Sequence, residues 1–93
     1  MATAIRRDPS ILVREIEGEI LILDRRTERV HQFNGTGSFI WKRFDEGLAP
    51  EAIVAALVRE FDVSGEVAQQ DLEAFLTVLG SLDLLEGGRH PLS

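Results

Sequence analysis

Between residues 11 and 33 the apolar positions come in short runs separated by turn-forming residues. The first run, residues 11–16, is rich in β-formers and ends at Glu17-Gly18, a turn signal. The second, Ile20-Leu21-Ile22-Leu23, is apolar on both faces. That suits a middle strand with helices on one side and something else on the other. After a polar stretch at 24–28 the third run, Arg29, Val30, His31, Gln32 and Phe33, is mixed, as an edge strand would be. An edge strand displays unpaired backbone donors and acceptors. The three runs predict a meander.

From Asn34 the period shifts from two toward 3.6. Asn34 and Thr36 are both capable N-caps in a glycine-bearing entry, and Phe39, Ile40, Trp41 and Phe44 give one apolar side to a helix over about 36–46 that stops near Gly47. Pro50 fits a first helical turn, and Ile53, Val54, Leu57, Val58 and Phe61 recur at three and four through a helix over 50–61. Ser64 caps a third helix from about 66 to 82. The order is that of an α+β chain: a three-stranded antiparallel β meander followed by a three-helix bundle. Ninety-three residues hold one core. The domain is expected over 10–86, with flexible segments at 1–9 and at 87–93 after Gly87-Gly88.

The third helix carries more apolar surface than a core stripe needs. At 100° per residue, Ala68, Leu72, Phe75, Leu76, Leu79 and Leu82 share one arc, which is core. Val67, Asp71, Ala74 and Val78 form an adjoining arc that either widens the core contact or lines a shallow groove.

Charge and composition narrow the function. Residues 1–43 carry eight Lys/Arg against six Asp/Glu, whereas 44–93 carry two against ten, a net of −8 in a chain of net −6. Such a half repels nucleic acid, whose binding rests on neutralised phosphates. With no cysteine there is neither a disulfide nor a thiolate metal site, which fits a reducing compartment, and the N-terminus lacks a long apolar secretory segment, so the cytoplasm is expected. No apolar stretch approaches the roughly 20 residues needed to span a bilayer.

Catalytic and cofactor chemistry find little support. His31 and His90 lie far apart, one in a strand and one in the tail, without ligand spacing. Gly35-Thr36-Gly37-Ser38 precedes a helix N-terminus able to hold a phosphate, yet it lacks both the third glycine of a dinucleotide fingerprint and the Gly-Lys-Ser/Thr ending of a P-loop; a strand-to-helix turn is the simpler reading. No serine sits in a nucleophile elbow, and the acid pairs Asp45/Glu46 and Asp71/Glu73 read as solvated charge. Trp41, the only tryptophan, reads as a core anchor. The chain is expected to be no enzyme and to hold no cofactor or metal.

Three strands, then Asn34-x-Thr36-Gly37-x-x-Ile40-Trp41, then Val63 before a helix with Asp71-Leu72-x-x-Phe75-Leu76-x-x-Leu79, then Leu84-Leu85: this order and spacing resembles the PqqD family over about residues 10–86. The resemblance implies a winged helix-turn-helix-like domain that acts as a recognition element for a ribosomally synthesised, post-translationally modified peptide. Members bind the leader segment of the precursor and present it to modifying enzymes such as a radical SAM enzyme or a leader peptidase, in pyrroloquinoline quinone, lasso-peptide and other pathways. The leader would add as a strand beside Arg29, Val30, His31, Gln32 and Phe33 and lie against Val67, Asp71, Ala74 and Val78, with Asp71 accepting hydrogen bonds or pairing with a basic leader residue.

A winged helix also suggests DNA binding, but residues 65–86 hold five acidic residues and no basic one. A structural or regulatory module that dimerises through the same edge strand is the remaining alternative.

Overall fold

The computed structural model describes Ile5 and residues 8–85. His90, the C-terminal tail and most of the segment 1–9 lie outside the described residues.

Glu17 and Gly18 both take positive φ, 51° and 84°, the twist that a two-residue hairpin needs between right-handed strands. They join β1 (Ile11–Ile16) to β2 (Glu19–Asp24), and a four-residue turn leads on to β3 (Arg29–Gln32). The antiparallel order is β1-β2-β3, with Val13, Ile22 and His31 in one row. The expected meander is present, with β2 longer by one residue at each end.

Alternation divides the sheet's two faces. Ile20, Ile22 and Asp24 point into the protein and are buried. Leu12, Ile16, Leu21, Leu23 and Val30 share the opposite face, where no described helix packs. The "something else" expected on that side is not among the described residues.

Of helices α1 (Gly35–Asp45), α2 (Pro50–Phe61) and α3 (Gly65–Ser81), α1 packs on β2, and α2 and α3 pack on α1 and on each other. The Asn34 side chain accepts from the Gly37 amide and the Ser64 hydroxyl from the Val67 amide, so Asn34 rather than Thr36 caps α1. Asp62, in the left-handed region at φ 53°, ends α2. The core joins Ile22, Ile40, Trp41, Ile53, Leu57, Leu72 and Leu79 with Phe33 and Phe75. Trp41 is a core anchor, as expected.

The buried Ser38 hydroxyl joins sheet to helix. It accepts from the Ile20 amide at 2.8 Å and donates to the Phe33 carbonyl at 3.1 Å, standing in for a direct rung where β3 leaves β2 for α1. Ile5, inside the segment expected to be flexible, is 4% exposed and bridges to Leu85. The core thus takes in Ile5, an apolar residue before Arg6-Arg7-Asp8-Pro9 that offers no periodicity to detect.

Candidate functional site

β3 is an outer strand, and its hydrogen-bonding groups divide by parity. The Phe33 amide donates to the Ile20 carbonyl at 3.0 Å, so Phe33, His31 and Arg29 direct their backbone groups at β2. Val30 and Gln32 direct theirs outward. No strand pairs with that outer edge among the described residues.

Side chains follow the same parity. Arg29 and His31 stand on the helix side, where with Arg26 and Thr27 of the turn, Ser81 at the end of α3 and Asp83 just after it they line a depression of about 420 Å³. Val30, 63% exposed, and Gln32, bonded through Nε2 to Glu19 at 2.9 Å, lie on the outer face. Phe33 departs from the expected set. Its ring is buried, 5.8 Å from Trp41 and 5.0 Å from Phe75 between centroids, because at this end of the ladder the helix-side position points into the core. The Phe33 ring therefore supports the wall from within the core.

On α3 the adjoining arc is open. Val67 and Val78 are 41% and 44% exposed, Ala74 is exposed and Asp71 half-buried, while Ala68, Leu72, Phe75 and Leu79 take the core. The core-widening reading of this arc does not hold. Asp71, Ala74 and Val78 come together in a pocket of about 270 Å³, closed by Asn34, Thr36 and Gly37 at the entry to α1 and floored by Ile40 and Phe75. Val67, two turns earlier than Ala74, is not part of it.

The α1 entry lines the same pocket, which the sequence does not reveal. A Cβ on Gly37 would stand 3.0 Å from the Phe75 ring and 3.3 Å from the Phe33 Cβ, so glycine here lets the helix start press against both aromatics. The glycine was visible in sequence as a turn element; its neighbours were not. The anion reading of this entry has no support in the geometry, since Asn34 occupies the Gly37 amide.

The strongest electrostatic feature lies at the other end of the cleft. Arg26 binds the buried Asp24 carboxylate with Nε at 2.9 Å and Nη2 at 2.7 Å, and these bonds hold Asp24 below the usual carboxylate range although burial acts in the opposite direction. Among the described residues no group of three or more His, Cys, Asp or Glu is placed to hold a metal ion, and no helix is long and apolar enough to cross a membrane.

A family model described as Coenzyme PQQ synthesis protein D (PqqD) matches residues 19–85. The chain belongs to the PqqD family. A search of curated proteins finds no match. Among solved structures, TbiB1 in complex with the TbiA(beta) leader peptide is 31% identical, with a TM-score of 0.81 over 94% of this chain and 99% of that one. A lasso peptide synthetase B1 complexed with its leader peptide is 26% identical, with a TM-score of 0.80 over 91% of this chain and 98% of that one. The PqqD fold thus extends over nearly the whole chain, and both similar structures are complexes with leader peptides.

Proposed function

We propose that this chain is a non-catalytic recognition element that captures the leader segment of a ribosomally made precursor peptide by β-strand addition and presents it to a modifying enzyme. The carrying observation is the juxtaposition of an unpaired edge, with Val30 and Gln32 directed outward, and the open arc of Asp71, Ala74 and Val78 across a cleft, in a fold shared with two leader-peptide complexes. Backbone rungs on β3 give sequence-tolerant affinity, and the α3 pocket selects side chains. The same division of labour explains why the cleft needs no catalytic group.

A radical SAM enzyme or a leader peptidase is the partner class for the loaded chain, in pyrroloquinoline quinone or lasso-peptide biosynthesis. The cytoplasm is its place of work, where such a precursor is translated.

The test is a titration with the precursor peptide whose reading frame neighbours this one, on the wild-type chain and on Val78→Glu. Val78 is 44% exposed, so the charged variant is expected to keep its melting temperature within about 3 °C and to lose about tenfold or more in affinity. A large fall in melting temperature would assign Val78 to the core. A mass that doubles with concentration and is unaffected by the peptide would instead favour an edge-to-edge dimer.

A further inference from the structure

The two walls of the cleft stand apart along their lengths: no Cα of β3 lies within 8 Å of one of α3. Two unlike connections bridge them. At the α1 end the Phe33 and Phe75 rings meet edge to face. At the other end the connection is polar and runs through one residue, Arg26, on the turn between β2 and β3.

From its hold on Asp24, the Arg26 guanidinium reaches across to the end of α3. Nη1 donates to Asp83 Oδ2 at 3.0 Å, and Nη2 donates to the carbonyls of Asp83 at 3.2 Å and Leu82 at 3.4 Å. The last turn of α3 has no basic residue of its own, so the turn supplies the cation that this carbonyl end favours. Asp24 anchors the arrangement. Its side chain is 1% exposed, and it also accepts the Arg26 backbone amide at 3.0 Å, so the guanidinium is held from both its own backbone and its fork.

A rigid, planar fork held on a buried carboxylate fixes a distance better than a flexible contact does. A strand added to β3 must sit about 4.8 Å beyond it while its side chains reach the face of α3. Widening the cleft would weaken one set of contacts or the other. We propose that Arg26 is a positioning residue for peptide capture: it holds the turn end of β3 and the end of α3 at the separation an added strand requires, before the peptide arrives. This rests on the reading of the cleft as a peptide site, and the benefit is that of preorganisation, since the ordering is complete before binding.

The test uses the absence of cysteine to place two spin labels uniquely, at Arg25→Cys on the turn and Thr77→Cys on α3, both exposed positions. The distance distribution is measured in the otherwise unaltered chain, in Arg26→Lys, in Asp83→Asn, and in Asp24→Leu/Arg26→Leu, which removes the connection without leaving a buried unpaired charge. Affinity is measured in parallel, without labels, for a peptide enriched on the wild-type chain from a random-sequence display library. Broadened distances together with at least about tenfold weaker binding in the double variant, at a melting temperature that keeps it folded, are expected. Unchanged distances, or broadened distances with unchanged affinity, would overturn the positioning role. Failure of the wild-type chain to enrich any peptide would overturn the reading of the cleft itself, a result separable from the other two because the distances are read without peptide.

Discussion

β1 and β3 flank the same central strand, and only one of them is fitted to receive a partner. On β1 the charged residues Arg14 and Glu15 are exposed side by side in the strand, the usual protection of an edge against pairing. Glu15 is drawn to Lys42 of α1 at 2.9 Å, so that edge sits beside a helix that reaches toward it. In the same rows β3 carries Gln32 where β1 carries Arg14, and Phe33 follows it where β1 carries Glu15; the charge of β3, Arg29, stands at its turn end. The lesson is that receptivity belongs to the edge together with what stands next to it: among the described residues an outer row of amides without a partner strand is common to both strands, and a cleft with small residues on its far wall belongs to one.

The largest expected effect breaks this contrast most directly. Gln32→Pro removes an amide that points away from β2, so the internal ladder survives while the outer one loses a donor. Binding of a leader peptide is expected to fall by about a hundredfold, near 2.7 kcal/mol, with a modest change in melting temperature. Val13→Pro is the matched change on the other edge, since the Val13 and Ile22 pair lies between rungs and its amide also points outward. It is expected to leave peptide affinity unchanged. Equal losses in the two variants, read by calorimetric titration, would show that the two edges are not distinguished.

The next effect concerns the anchor on the β3 side. Asp24→Asn gives up the charged hydrogen bonds to Arg26 and is expected to cost about 2 to 3 kcal/mol at neutral pH. Because folding lowers the Asp24 pKa, its contribution is fully present above the unfolded carboxylate value, about 4, and is lost as pH falls through the folded value. The stability gap between wild type and Asp24→Asn, taken from urea midpoints, should therefore narrow from pH 7 to pH 3. A gap that stays constant or widens on acidification would mean that Asp24 is not the anchor.

Much of this architecture was legible in the sequence for identifiable reasons. All three helices lie within one residue of their expected bounds, because caps at Asn34 and Ser64, Pro50 at a first turn and a clean 3.6 period leave little choice. The open arc of α3 was legible as surplus apolar positions, yet whether it faced core or solvent depended on where β3 and α1 would lie. For Phe33 the sequence shows a strand residue beside four others; parity in the ladder, visible only once the register is known, sends its ring inward. Arg26 had no signal. In a turn beside Arg25 it resembles solvated charge, and its catch, Asp83, is 57 positions away.

The smallest expected effect sharpens the comparison from the β1 side, where Lys42 and Glu15 are the counterpart of Arg26 and Asp24. Lys42 and Glu15 connect an edge strand to α1 directly, whereas Arg26, anchored on Asp24 of the central strand, connects the turn to the end of α3; the Lys42 and Glu15 side chains remain 31% and 51% exposed, against 1% for Asp24. An ion pair in water gains little from Coulomb attraction and gives up side-chain freedom, so Lys42→Met is expected to cost less than about 1 kcal/mol and to leave peptide affinity untouched. Salt should reduce even that difference, since screening at 1 M acts within about 3 Å. Urea midpoints at low and high salt for Lys42→Met, Glu15→Gln and the double variant measure the coupling between the two. A coupling that rivals the Asp24 effect would show the exposed pair to be as firm a connection as the buried one. The contrast between a guarded edge and a positioned one would then lie in the strands themselves rather than in how each is held to its helix.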